Sequence, residues 1–255
     1  MPIRETEAMV LRSHPLGESD RIVTFLTRSV GKLRGVAKGA RRSRRRFGSN
    51  LEPLSRVRLE YFEREGSDLA RIETADLLES FYRLQEDPER AAVLACLAEV
   101  ADAFAREQQE DEAYFRLLRA VLAAIRDGLD LERAARYFEV WTLRLHGVLP
   151  PLSSCARCQG GLSGRGGIYD RREGDVLCRR CAPQRPPGSV PLTAAALAEA
   201  ALILKVSPGD LAGRPAEGRP GALGPLAALA EALFFDLTER RFKSYDVLRS
   251  LRRGH

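Results

Sequence analysis

The sequence predicts a multidomain α+β protein: an N-terminal OB-fold β-barrel followed by a C-terminal helical domain that carries an inserted four-cysteine zinc element. Three observations lead there. Apolar residues alternate in short strand-like runs up to about Ser80 and then switch to helical spacing after Asp87. The second half is interrupted between Pro150 and Pro191 by a stretch rich in Gly, Pro, Cys and Arg that holds two CxxC pairs. A chain of 255 residues is long enough to bury two or three small cores. The expected boundaries are 1–80 for the barrel, 81–149 for the first part of the helical domain, 150–190 for the four-cysteine element and 191–255 for the second helical part.

Five strands fit the first eighty residues: Glu5 to Ser13, Arg21 to Thr27, Lys32 to Lys38, Val57 to Arg64 and Leu69 to Asp76, separated by turn residues at Gly17 to Asp20, Ser29 to Gly31, Gly48 to Pro53 and Gly66 to Asp68. Short antiparallel strands of this number suit a small barrel that removes its sheet edges by closure. An SH3-like barrel satisfies the same pattern. In the third strand, alternation places Lys32, Arg34, Val36 and Lys38 on one face and Leu33, Gly35, Ala37 and Gly39 on the other. The small, apolar face packs inward, with Gly35 permitting a sharp bend, so the basic face looks outward. In the fourth strand Val57, Leu59 and Tyr61 point inward and Arg58, Phe62 and Arg64 outward.

The charge is concentrated. Net charge is +6 with a pI near 9.3, and between Gly31 and Arg46 eight of sixteen residues are Lys or Arg with no acid among them. Such a block is stable only when solvated or opposed by a partner's negative charge, which points to nucleic acid or an acidic protein. Runs of this kind are commonly solvated loops, and here the strand Lys32 to Lys38 holds the first cations on a rigid element while Arg41, Arg42 and Arg44 sit in the loop that follows. Phe47 and Phe62 are candidates for stacking on bases, although core packing is the commoner fate of a barrel aromatic.

Asp87 as N-cap and Pro88 at the first helical position open the helical part. Three apolar stripes follow: Val93, Leu97, Val100 and Phe104; Tyr114, Leu117, Leu118, Val121 and Ile125; Leu131, Phe138, Trp141 and Leu145. Cys96 falls on the first stripe and reads as a buried core thiol. Glu110, Asp111 and Glu112 read as a solvated loop. Helices resume over Leu192 to Val206, capped by Thr193, and over Pro225 to Arg241, with Ser207 to Gly224 as a long loop; a last short helix covers Tyr245 to Arg252.

Cys155 and Cys158, then nineteen residues, then Cys178 and Cys181, form the most specific local signal. Two CxxC turns joined by a fold-back ribbon present four thiolates to one tetrahedral ion, which predicts a single structural zinc. Four thiolates close the coordination sphere, whereas a hydrolytic zinc keeps a position open, so the metal is expected to be non-catalytic. Arg157, Arg179 and Arg180 are placed to offset the site's negative charge. The scattered His14, His146 and His255 form no catalytic grouping, and no GKS/T or GxGxxG phosphate loop occurs. The chain is therefore expected not to be an enzyme. Its N-terminus, MPIRETEAMVL, has no apolar leader segment, and no stretch approaches the roughly 18 apolar residues of a membrane span, so the chain reads as cytoplasmic without a membrane partner.

Several segments taken together carry a family resemblance. GESDRIVTFLT from Gly17 to Thr27 with the basic segment after it, YFEVWTLRLHGVLPPLSSCARC from Tyr137 to Cys158, and RRFKSYDVLRSL from Arg240 to Leu251 resemble the RecO family of bacterial recombination mediators in the expected order. That resemblance implies an OB-fold, a helical domain and a zinc insertion. It further implies binding of single- and double-stranded DNA, annealing of complementary strands, and loading of RecA on DNA coated by single-strand binding protein, with RecR and the acidic tail of that protein as partners, in association with the nucleoid. By position it assigns DNA contact to Lys32, Arg34, Lys38, Arg41, Arg42 and Arg44. Annealing needs further basic surface, to which Arg179, Arg180, Arg185, Arg240, Arg241 and Lys243 could contribute. Three other readings stay open on the residues alone: an RNA-binding OB-fold and zinc-ribbon protein, a non-catalytic module whose basic loop docks an acidic protein, and, least favoured by the closed sphere, a zinc hydrolase.

Overall fold

A computed structural model describes residues 2–42, 46–48, 50–63, 66–214 and 221–253. Five strands, β1 (Arg4–Leu16), β2 (Asp20–Thr27), β3 (Gly31–Ala37), β4 (Arg56–Phe62) and β5 (Ala70–Glu79), close into a barrel in the order β1-β2-β3-β5-β4. Every ladder is antiparallel except β3 with β5, which run parallel through Gly35↔Ala70, Val36↔Arg71 and Ala37↔Ile72. That order and the one parallel closure are those of an OB barrel, and they remove the SH3-like alternative. Inward residues of alternate positions fill it: Val10, Val23, Phe25, Val57, Leu59, Tyr61 and Ile72 are all buried.

Gly35 has a different role from the expected bend. A Cβ there would lie 2.4 Å from Ile72 Cδ1 and 3.0 Å from the Ala70 carbonyl, so glycine lets β5 approach β3 closely enough to pair. Phe47 belongs to the same core and is fully buried, which takes its ring out of reach of a base. Phe62 is half-buried, and Arg64, expected to point outward, lies outside the described residues.

Two compact units emerge, one formed by residues 1–122 with 242–255 and the other by 123–241. In the first, α1 (Pro88–Phe104) starts as expected, with the Asp87 carboxylate accepting the Arg90 N–H at 2.8 Å and Pro88 inside the first turn. A single 3-10 turn, Tyr82–Gln85, precedes it. Helix α1 packs on β1 and β2, where Met9, Leu11 and Leu26 on the barrel's outer side are buried. The last helix, α7 (Lys243–Arg253), also packs on α1, and the Glu99 carboxylate accepts its Ser244 N–H at 2.8 Å and hydroxyl at 2.6 Å. Cys96 is buried. Helix α2 (Glu112–Arg126) buries Tyr114, Phe115, Leu118 and Val121.

The second unit is built on α3 (Leu131–Leu145), α4 (Ala194–Ile203), α5 (Pro208–Ala212) and α6 (Leu223–Thr238), with a small sheet of β6 (Gly167–Asp170), β7 (Asp175–Leu177) and β8 (Val190–Leu192) ordered β7-β6-β8. The cap at Thr193 is present: its hydroxyl accepts the Ala196 N–H at 3.0 Å. The region expected as one long loop contains α5, a short helix started by Ser207 and Pro208. Helix α3 is not the simple one-sided stripe the spacing implied, since Arg133, Arg136 and Glu139 are buried while Leu145 is 37% exposed. Buried charge needs a partner, and Arg133 finds one in Glu199, with contacts of 2.7 and 3.3 Å, while Arg136 meets Glu139 at 2.5 Å. No helix among the described residues is long and apolar enough to cross a membrane.

Candidate nucleic-acid interface and metal centre

Alternation on β3 decides which cations leave the barrel. Gly35 and Ala37 are buried while Arg34 is exposed, as the period of two requires, and Lys38 is exposed in the turn that follows the strand. Register then adds a residue the sequence pattern did not single out: Arg71 of β5 is the Cα partner of Val36, so it stands on the same outer face and is exposed. Its only signal in the sequence was parity, since Arg71 alternates with the buried Ala70 and Ile72. Arg71 has Glu73 at 3.4 Å; Arg34 and Lys38 form no ion pair with a carboxylate among the described residues.

Lys32 is on the same strand but in a different setting. Its side chain is only 16% exposed, with Nζ donating to the Asp102 carbonyl at 3.0 Å and lying 3.9 Å from the Asp102 carboxylate and 3.7 Å from Glu107. The segment after α1 is held against β3 by main-chain bonds, Lys32 N–H to the Arg106 carbonyl at 2.7 Å and Gln108 N–H to the Lys32 carbonyl at 3.5 Å. Gly31, at φ +68°, makes room for it: a Cβ would sit 2.1 Å from the Gln109 carbonyl oxygen. Of the acidic residues beyond, Glu110 is exposed in the loop as expected, while Asp111 and Glu112 are engaged. Asp111 accepts the Tyr114 N–H at 3.0 Å as a helix cap, and Glu112 accepts two bonds from Arg28 at 3.0 and 2.7 Å, which holds the Arg28 guanidinium pKa above its ordinary value. Arg12 meets Asp102 at 2.8 Å. A strap of the chain's own carboxylates thus occupies Arg12, Arg28 and Lys32.

After β3 the loop is tied at its base. The Asp20 carboxylate accepts the Gly39 N–H at 2.8 Å and the Ser19 hydroxyl at 2.9 Å, and these bonds hold its pKa below the ordinary carboxylate range. Arg41 donates to the Gly17 carbonyl at 3.1 Å, and Arg42 is exposed, 3.7 Å from Glu18. Arg46 donates to the Lys38 carbonyl at 2.8 Å and lies 5.2 Å from the Phe47 ring centroid. The expected contact residue Arg44 lies outside the described residues. The structure therefore brings Arg34, Lys38 and Arg71 to one outer face, keeps Arg41 and Arg42 exposed beside it, and sets Lys32 apart.

The four cysteines converge. Their Sγ atoms all lie within 4.8 Å of one another, and those of Cys158 and Cys178 are 3.8 Å apart. Four sulfurs about 2.3 Å from one ion form a tetrahedron with edges of about 3.8 Å, so the cluster can hold a metal ion. Local chain geometry explains the convergence. Each CxxC closes on itself, with Gln159 N–H to the Cys155 carbonyl at 2.9 Å and Cys181 N–H to the Cys178 carbonyl at 3.0 Å; Ala156 N–H to the Val176 carbonyl at 3.0 Å ties the first turn to β7.

Main-chain amides aim at the sulfurs. Burial pushes the Cys155 thiol up, but N–H groups of Cys178, Cys158 and Arg157 outweigh it and bring its pKa down to about 6. The Gly160 amide lowers Cys158, which also accepts from Arg180. Cys181 is pushed up to about 12, first by its hydrogen bond to Cys158 and then by burial. Of the three arginines expected to offset the thiolates, Arg180 does so. Arg157 donates to the Cys181 carbonyl at 2.9 Å and pairs with Glu173, and Arg179 turns outward, exposed.

Two family models match the chain. One described as "Recombination protein O N terminal" matches residues 1–81, and one described as "Recombination protein O C terminal" matches residues 85–216. The chain is 39% identical over 241 residues to the DNA repair protein RecO of Anaeromyxobacter sp. (strain K), covering 92% of this chain and 93% of that protein. It is 38% identical over 213 residues to the DNA repair protein RecO of Koribacter versatilis, with 84% and 85% covered, and 35% identical over 181 residues to that of Myxococcus xanthus, with 69% and 72% covered.

Proposed function

The chain belongs to the RecO family of DNA repair proteins, and from that premise we propose that it binds single- and double-stranded DNA on the β3–β5 face of the barrel and anneals complementary strands. In the same reading it works with RecR to load the RecA recombinase onto DNA coated by single-strand binding protein. The observation that carries the DNA contact is the exposed pair Arg34, on the rigid strand β3, and Lys38, in the turn just after it, neither with a carboxylate within ion-pair distance among the described residues. Such cations exchange salt counterions for phosphates. With about four contacts, from Arg34, Lys38, Arg41 and Arg42, the log-log salt slope on single strands is near −2.8, at about 0.7 per contact. Phosphate contacts carry no base information, so binding is indifferent to sequence. Neutralising two polyanions lowers the repulsion between them and so favours annealing, with no bond-making step by the protein.

The metal is proposed to be zinc, held by Cys155, Cys158, Cys178 and Cys181, since four thiolates in tetrahedral reach suit it and leave no open position. It would cross-link the two CxxC turns. For the acidic tail of single-strand binding protein, a cleft of about 570 Å³ in the second unit offers apolar walls at Trp141, Pro150, Leu197 and Leu204 and a cation at Arg144. Those features suit a peptide that is both apolar and acidic.

The test is annealing of complementary oligonucleotides, naked and coated, with wild type and the Arg34→Ala/Lys38→Ala variant. The variant is expected to lose annealing and most single-strand affinity. A large preference for RNA over matched DNA would overturn the reading in favour of an RNA-binding protein, and unchanged DNA affinity with lost acidic-peptide binding would favour an interaction module.

A further inference from the structure

We propose that the four-cysteine element carries a second phosphodiester-binding cleft, formed by Arg165, Arg179 and Arg180, which holds a nucleic-acid strand separately from the barrel. This rests on the reading above and gives annealing its second strand. The cleft, about 270 Å³, opens beside the Cys158 and Cys178 sulfurs and is lined by the backbone of Gly160 and Gly161 and by these three arginines. All three are exposed. A Cβ at Gly161 would meet nothing within 4 Å, so the space in front of the first CxxC turn is open.

Balancing the metal centre does not use up this charge. Four thiolates on a divalent ion leave a net charge near minus two, and Arg180 already leans on Cys158 while the knuckle amides point at the sulfurs. Arg157 is engaged by the Cys181 carbonyl and Glu173. Arg165 and Arg179 remain, and neither pairs with a carboxylate among the described residues. Of the element's three acids, Asp170 is buried and accepts the Arg172 N–H, Glu173 is taken by Arg157, and Asp175 is half-buried and does not line the cleft. Two more exposed, unpaired arginines, Arg172 and Arg185, lie on the same element. Guanidinium groups in such numbers, around a cleft with no acidic residue in its lining, match the repeated phosphates of a strand. The element's tyrosine, Tyr169, is 2% exposed, so no aromatic is offered to a base and contact is to the backbone alone.

The experiment uses the full metal-loaded chain and compares wild type, Arg165→Glu/Arg179→Glu and Arg34→Glu/Lys38→Glu, with metal content measured for each. Short oligothymidylate is titrated for stoichiometry and salt slope, and annealing is followed separately. Wild type is expected to bind two short strands, and each double variant one. The cysteine-element variant keeps its metal, anneals at least about tenfold more slowly, and loses about 1.4 from the summed salt slope, at about 0.7 per contact. Retention of wild-type stoichiometry, slope and annealing by Arg165→Glu/Arg179→Glu would overturn the proposal, as would binding of inorganic phosphate at this cleft with no oligonucleotide binding there. If only the barrel variant is without effect, the barrel assignment fails and the cleft stands.

Discussion

The barrel's basic segment and the four-cysteine element each engage some cations and leave others open, and in neither does order along the chain say which. Between Gly31 and Arg46 the sequence shows eight positive residues and no acid, yet the fold brings Asp102 and Glu107 to Lys32, Glu18 to Arg42 and Glu73 toward Arg46. The element between Cys155 and Ser189 mixes both signs in sequence, yet it turns Arg165, Arg172, Arg179 and Arg185 outward without an acidic partner among the described residues. Charge available to a ligand is therefore not charge counted along the chain. What counts is which cations remain unopposed once distant segments have packed.

Metal removal breaks this comparison most strongly. Structural zinc contributes about 10–16 kcal/mol to peptide-sized sites, so a chelator should unfold the Cys155–Cys181 segment while the barrel persists. Hydrogen exchange should show protection lost over 155–181 and kept over β1 to β5. Annealing should fall while barrel-dependent binding of one strand changes less than about twofold. Retained protection after complete metal loss would show that the cluster does not depend on an ion.

A smaller effect comes from the acidic strap. Gly31→Ala places a Cβ 2.1 Å from the Gln109 carbonyl oxygen on a left-handed backbone, a strain of about 1–3 kcal/mol. Its melting temperature should drop, and protection should fall over residues 106–109. Charge reversal at Arg34 and Lys38 should then lower the single-strand salt slope by about 1.4, at about 0.7 per contact, whereas Lys32→Glu should change it less because Lys32 already has carboxylate partners.

Releasing cations should act in the other direction. Glu107→Gln with Glu112→Gln removes one carboxylate from Lys32, which keeps Asp102, and the carboxylate from Arg28, so single-strand affinity should rise about two- to fivefold, measured by fluorescence anisotropy at low salt. No gain would mean that these cations face away from the strand. The smallest expected change is at Asp20. Its pKa is depressed in the folded chain, so its bonds to Gly39 and Ser19 support the loop base above the unfolded value near 3.8 and fade as pH falls through the lower folded value. Asp20→Ala should remove that acid-side dependence, detected as loop exchange around Gly39, and leave neutral-pH binding little altered.

Much of this was legible in the residues. The five barrel strands, the Asp87 and Thr193 caps and the cysteine cluster follow from local rules: period two, a side-chain acceptor before a helix, and paired CxxC turns. Other features depended on partners far away in sequence. Gly35 read as a bend because its neighbour Ile72 is 37 positions downstream, a separation set by the fold. Phe47 looked available for stacking because nothing local says that it enters the core. Leu145 sits on an apolar spacing yet is exposed, while Arg133 on the same helix is buried against Glu199.

By itself, the sequence determined which side of β3 its cations occupy, because successive side chains on a strand must alternate, and it determined which four sulfurs could share an ion. Tertiary structure decided which of those cations are free. Lys32 and Arg34 are two positions apart on one face, and only the packing of residues 102–107 against the strand separates them: one sits among carboxylates and the other is open to a phosphate. Coulomb attraction acts through space and falls with distance, so that outcome follows contacts made after folding rather than order along the chain.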